Sequence, residues 1–418
     1  MTVLGNPPAL AQGRTLDQLI AQALQESPDL RAVEHERDAA RQRIPQAGTW
    51  MDPMVSLGYR NMPVTSPWPG VDPMSNIELM ASQRLPAPGK TSAREDVARS
   101  NVDTLDRMLD EKRVELVLRL RTRHAQLALV RQLREVTRRH VALVEQLVAV
   151  VSAKLEAGSI GQQALLRVMV LRDRLQDSLA DFDRREHELV AELNALAHLP
   201  VDDPIVTPTL QVEEISTAPA QLEHESAEGS PTLKRLDAAA HTQDLMAQQA
   251  EVEQRPDVEL SLAYMIRLPS QNSSGMNMVS AGIAMPLPWF FNASRWGAMA
   301  DENRAMARAT RSQRDATWDR LRSDLAAADA RLRRATDKSR TYQDSLVPSA
   351  TRTLESTLSA YQVERADFAD LIEAELELLE LERGLYEARA DAAMAHAELD
   401  ALRGRLATAA TTPVENSP

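Results

Sequence analysis

The chain is written twice, and this limits it more than any other feature. Ser27-Pro28-Asp29-Leu30 returns as Ser230-Pro231-Thr232-Leu233. Asp52-Pro53-Met54-Val55-Ser56-Leu57 is echoed by Pro256-Asp257-Val258-Glu259-Leu260-Ser261-Leu262, and Leu85-Pro86-Ala87-Pro88 by Met285-Pro286-Leu287-Pro288. Lys154-Leu155-Glu156-Ala157-Gly158 corresponds to Ala360-Tyr361-Gln362-Val363-Glu364. The order is kept and the offsets stay between about 200 and 206. Four matches in register require two halves of one architecture. The first half is assigned to 14–200 and the second to 230–404, with 201–229 as a Pro- and acid-rich linker or equatorial segment. The tail, 405–418, reads as disordered.

Each half should contain a helix, a strand pair and two long helices. Thr15-Leu16-Asp17-Gln18 is an N-cap with Gln three residues on, opening a helix that can run to about Ala47. Thr91 to Ala157 holds neither Gly nor Pro, and as helix it would reach roughly 100 Å at 1.5 Å per residue. Gly158 and Gly161 break it, and Gln162 to Leu199 can return. The second half repeats this with Ala298 to Val347, an interruption at Pro348, and Ser349 onward to Gly404. Leu371, Ala374, Leu378, Leu381, Leu385, Ala388, Ala392, Ala395, Leu399 and Leu402 alternate spacings of three and four. So do Leu129, Leu133, Val136, His140, Leu143, Leu147 and Val150. Such seams pack helices side by side as coiled coils.

Hairpins are expected at 51–86 and 256–288. Val258, Leu260, Leu262, Tyr264 and Ile266 alternate with Glu259, Ser261, Ala263, Met265 and Arg267. Val279, Ala281, Ile283, Met285 and Leu287 form a second alternating row; Val55, Leu57 and Tyr59, with Ile77 to Leu85, supply the first-half pair. These lengths suit tilted strands crossing a bilayer. Four strands cannot close there, because open edges leave backbone groups unpaired in lipid. Three chains would give twelve, an even number that can close, above a tube of twelve helices. The predicted class is mainly α with a small β part. Long antiparallel coiled-coil helices form a trimeric α-barrel, and four strands per protomer contribute to a 12-stranded transmembrane β-barrel.

Composition narrows the chemistry. With 418 residues, 3% aromatics and a formal charge of −13, the chain has the make-up of long helices and lacks the basic face of a nucleic-acid binder. It has no cysteine, which removes disulfides, thiolate catalysis and Cys metal sites. Its eight histidines form no His-x-His or His-Glu-x-x-His pattern, and no acid pair or phosphate loop is spaced for catalysis. His140 on its seam reads as an interface histidine. No enzyme and no cofactor are expected. Met1 to Gly13 shows no basic stretch followed by an apolar core, although Ala9-Leu10-Ala11 would suit the tail of a signal peptide.

With the repeat in view, the chain resembles the TolC-like outer-membrane factor family over essentially its whole length, closest to the heavy-metal branch. The resemblance is carried by Leu16-Asp17-Gln18-Leu19-Ile20-Ala21-Gln22-Ala23-Leu24 followed by Ser27-Pro28, and by Ser82-Gln83-Arg84-Leu85-Pro86-Ala87-Pro88-Gly89-Lys90. Leu155-Glu156-Ala157-Gly158 and the segment Tyr361 to Ile372 carry it at the two helical turns. The resemblance implies an outer-membrane β-barrel, a periplasmic helical tunnel and a homotrimer in outer-membrane lipid. It implies an exit duct for a tripartite efflux system, with a periplasmic adaptor and an inner-membrane pump of the RND type. Gly158, Ser159, Val363, Glu364 and Arg365 would mark the tips that dock and gate. Glu364 stands where a glycine is usual. Asp370 and Glu373, three apart on one helix face, would line the pore constriction, against the plainer reading of a solvated acidic face shared with Asp367, Glu375, Glu377 and Glu380. Arg365 could hold the closed tip through a salt bridge.

Methionine is the one hint about cargo. Met51, Met54, Met62, Met74 and Met80 gather in the first hairpin, and Met265, Met276, Met278 and Met285 in the second. Thioethers bind Cu(I) and Ag(I), but methionine also fills gaps in apolar surfaces. The branch implies heavy-metal ions; a drug, solute or type I secretion duct is the alternative. A soluble coiled-coil scaffold is the reading from another class, and it leaves the four strands unexplained.

Overall fold

The computed structural model describes residues 13–65, 68, 72–158, 160–212, 218–269, 274–287 and 293–406. The first half is α1 (Leu16–Glu26), α2 (Pro28–Gly48), β1 (Met54–Arg60), β2 (Asn76–Leu85), α3 (Lys90–Glu156) and α4 (Gln162–Leu196). The second is α5 (Pro219–Gly229), α6 (Pro231–Glu253), β3 (Val258–Ile266), β4 (Met278–Ala284), α7 (Ala293–Thr341), a π-helical turn (Tyr342–Leu346), α8 (Val347–Gln362) and α9 (Phe368–Leu402).

Three expectations change. The opening helix is two helices, because Pro28 pushes Ser27 to ψ 119° and out of the helical region. Ser230 before Pro231 does the same at ψ 117°. The segment 201–229 contains α5, eleven residues like α1. Lastly, Pro348 does not break its helix. The Val347 N–H reaches back to the Tyr342 carbonyl, and this wide turn absorbs the ring that an α-helix would crowd. Gly384 of α9 makes room for that turn, since a Cβ there would lie 2.6 Å from the Tyr342 ring. The residues 1–12 and 407–418, which hold the signal-peptide reading and most of the tail, lie outside the described residues.

The chain divides into two compact units. One comprises Met1–Ala32, Leu109–Leu233 and Thr317–Pro418. It is helical, and its largest apolar cluster joins Val136, Val144, Leu147, Val151, Val168, Leu175, Leu354, Leu371 and Leu378. The α9 seam is buried almost throughout; Leu381 and Leu402 are half-buried. On α3 burial exceeds the single seam, adding Leu127, Val130, Val141 and Val144, because this helix packs on more than one neighbour.

The other unit, Val33–Met108 and Lys234–Ala316, holds the sheet. Its order is β1-β2-β3-β4, antiparallel throughout, with Leu57 opposite Leu79, Leu79 opposite Tyr264 and Tyr264 opposite Val279. The sheet is inverted relative to a soluble protein. Its apolar face is exposed: Leu57 is 75% and Ile283 77% accessible. Asn76, Glu78 and Ser82 on the polar face are buried. Among the described residues, β1 and β4 have no further strand beside them.

The joint between strand and helix is a charge cluster. Gly89, at φ +90°, turns the chain so that Lys90 is buried against Asp257 at 2.8 Å and Glu253 at 3.5 Å. The Ala87 N–H donates to the same Asp257 carboxylate, and Arg255 donates to the Pro88 carbonyl. The turn after β2 in the first half is thereby tied to the turn before β3 in the second. Replacing Lys90 by Met should cost about 3 kcal/mol, because Asp257 loses its direct cation while Glu253 keeps Arg94. Denaturant titration of the two proteins measures it, and a loss under about 1 kcal/mol would mean that the joint is solvated.

Candidate functional site

Both helical hairpins turn in five residues, 157–161 and 363–367. The helix before each turn ends on a left-handed residue, Gly158 at φ 73° and Glu364 at φ 61°. Around Glu364 the geometry is complete: its N–H donates to the Tyr361 carbonyl at 3.3 Å, and that of Arg365 to the Ala360 carbonyl at 2.8 Å. The missing glycine therefore does not change the turn. Glu364 takes the glycine conformation at a cost of about 1–2 kcal/mol to an L-residue. The far ends of α4 and α9 share the device, with His198 at φ 56° and Gly404 at φ 71°. Each equivalent pair keeps one glycine.

Lys154 and Tyr361 lock one turn to the other. The Lys154 ammonium donates to the Tyr361 carbonyl at 2.9 Å, where a cation suits the C-terminus of α8. It also lies 4.6 Å from the Tyr361 ring centre. Tyr361 is buried, packs on Phe368 at 6.2 Å, and has no hydrogen-bond partner for its hydroxyl among the described residues. Burial pushes its pKa up. An open groove of about 760 Å³ separates the turns, lined among others by Lys154, Gly158, Arg167, Glu364 and Asp367.

Val363, Glu364 and Arg365 are exposed at this turn, and Arg365 makes no ion pair among the described residues. Ser159, expected beside Gly158, lies outside them. Asp370 is exposed, and its carboxylate accepts the Asp367 N–H at 3.3 Å, which fastens the start of α9. Glu373 is exposed one turn on and lines a second groove with Arg167, Leu376, Glu377 and Glu380. Asp370, Glu373, Glu377 and Glu380 thus form one exposed stripe at spacings of three, four and three. Glu375, grouped with them by composition, is different: it is 1% exposed and faces inward.

There it meets His140. The imidazole lies between two carboxylates, with Nδ1 2.6 Å from Glu375 and Nε2 3.1 Å from Glu382. Arg139 also reaches Glu382, at 3.1 Å. Burial alone would lower the His140 pKa, but hydrogen bonds to both carboxylates and their charge outweigh it and raise it to about 9. The interface histidine was legible from the heptad. Its partners were not, although Glu375 and Glu382 stand seven apart, each directly after a seam position. Lys154 lay inside a repeat motif without a legible role.

A family model described as outer membrane efflux protein matches residues 19–197. Among curated proteins, no sequence matches the chain. Solved structures similar to it over most of its length include the outer-membrane channel OprN, at 15% identity and TM-score 0.78, covering 93% of this chain and 89% of that one. VceC, an outer membrane protein of Vibrio cholerae, has 17% identity and TM-score 0.75, with coverage of 93% and 96%. CusC, described for its transmembrane channel formation, has 17% identity and TM-score 0.75, with coverage of 96% and 95%. These likenesses establish the fold.

The buried imidazolium makes stability depend on pH. Its folded pKa lies above the ordinary 6.5, so its contribution is whole below pH 6.5 and is lost as pH rises through about 9. The amount is on the order of 3 kcal/mol. Thermal unfolding from pH 6 to 10 should show this decline in the wild type and a flatter profile in His140→Gln. Parallel profiles would assign the titration elsewhere.

Proposed function

We propose that the chain is a member of the outer membrane efflux protein family, whose model matches residues 19–197, and that three copies form the passive exit duct of a tripartite export system. The observation that carries this is the inverted sheet with two open edges. A face of Val, Leu, Ile and Tyr on the outside and a polar face within is the pattern of a barrel wall in lipid. Such a wall tolerates no unpaired edge, so β1 of one copy must meet β4 of the next. Strand directions alternate across the sheet, and this pairing keeps all twelve antiparallel. No helix among the described residues is long and apolar enough to cross a membrane.

The helical unit supplies the tunnel wall, as its long paired helices and unbroken seams support. In it, the turns at Gly158 and Val363 to Arg365 meet a periplasmic adaptor, and the energy comes from an inner-membrane pump of the RND type. Asp370 and Glu373 from three copies gather six carboxylates at the constriction, a ring that attracts cations and repels anions. Opening requires the tip helices to separate, and the Lys154–Tyr361 lock keeps the two turns of each copy together as they move. A soluble scaffold would leave the exposed apolar sheet face without a use.

The detergent-purified protein should have a mass near three times 46.3 kDa and form pores in planar bilayers. Asp370→Asn with Glu373→Gln should lower the preference for cations over anions by several-fold at low salt. A soluble monomer would overturn the duct, and unchanged selectivity would overturn the ring alone.

A further inference from the structure

The strand methionines are sorted to one side. Each strand carries one: Met54 on β1, Met80 on β2, Met265 on β3 and Met278 on β4. By register all four lie on the polar face, beside Ser56, Ser82, Ser261 and Ser280. Within the strands the opposite face carries Val, Leu, Ile, Tyr, Ala and Gln83 and no methionine; Met285, one residue beyond β4, continues that face's row. Hydrophobicity does not explain this sorting, since a thioether chain suits an apolar environment about as well as leucine does.

The four also form a continuous line. Met265 and Met278 are direct partners across β3 and β4. Met80 pairs with Ala263, two residues from Met265, and Met54 pairs with Ser82, two residues from Met80. Directly opposed Cβ atoms lie about 4.5–5.5 Å apart and diagonal neighbours about 7–8 Å, within reach of long side chains. In the row of Met265 and Met278 stand Glu78 and Gly58. Glu78 is ion-paired with Arg60 at 2.5 Å, which leaves sulfur as the free donor of that row. A Cβ on Gly58 would meet nothing within 4 Å, so space adjoins the stripe.

We propose that this methionine stripe binds soft monovalent metal ions, Cu(I) and Ag(I), through pairs of thioether sulfurs. Neutral thioethers prefer such ions over hard divalent cations, which seek carboxylate and carbonyl oxygen. Among the described residues no three His, Cys, Asp or Glu gather to hold a metal. On the duct reading, on which the location in a pore rests, this face lines the barrel lumen. Sparse, partly exposed sulfur ligands then hold the ion loosely enough to hand it on, as conduction requires.

Ag(I) is the probe, because it needs no reductant. Equilibrium dialysis of the detergent-solubilised protein in chloride-free buffer, read by elemental mass spectrometry, measures silver per chain. The wild type should retain at least one Ag(I) per chain more than the variant with Met54, Met80, Met265 and Met278 all replaced by Leu. Leucine is close in volume, and circular dichroism checks that the fold survives. Met299→Leu with Met306→Leu, two exposed helix positions, should retain silver like the wild type. Equal retention by wild type and stripe variant overturns the site. Bilayer recordings separate the two readings: pores without stripe-dependent silver refute the site alone, and stripe-dependent silver without pores refutes the duct alone.

Discussion

An unpaired strand edge is the constraint on which this protein depends. The outward face of the sheet is too apolar for water, and in lipid an open backbone edge costs several kcal/mol for each lost hydrogen bond. The protomer satisfies β2 and β3 and leaves β1 and β4 open. On the proposed duct reading, neighbouring copies supply the partners of those edges. On the same reading, each half of the doubled sequence contributes two strands and paired helices to the wall of the duct.

Helix ends carry the second requirement. Long helices must reverse in five residues without leaving carbonyls unsatisfied. The left-handed residue after each helix does this, and it sits at equivalent places in both halves. Glu364 and His198 show that glycine is preferred there but dispensable when the flanking hydrogen bonds are complete. At the tip the added contacts are polar, Lys154 on the Tyr361 carbonyl and Asp370 on the Asp367 N–H.

A buried ion pair network fixes the register between α3 and α9. His140 with Glu375 and Glu382 occupies a seam that could have been apolar throughout, and one carboxylate oxygen of Glu375 has no hydrogen-bond partner among the described residues. A misaligned pairing would bury these charges without partners, which disfavours helix slippage more strongly than leucine packing could.

Composition, the repeat and the heptads determined the helical architecture, the two hairpins and the tips, because each depends on spacing along the chain. Gly158 and the alternation in Val258 to Ile266 are readable for that reason. Tertiary structure decided what depends on distant residues. Ser27 split a helix that looked continuous, and α5 emerged from a segment rich in Pro and acids. Glu375 left the acidic stripe for the interior because the chain returns it opposite His140, a relation across 235 residues that no local pattern encodes. The methionines were visible as a cluster, but their common face arises from strand register. Register is set by pairing between strands, and a shift of one residue would reverse every side chain.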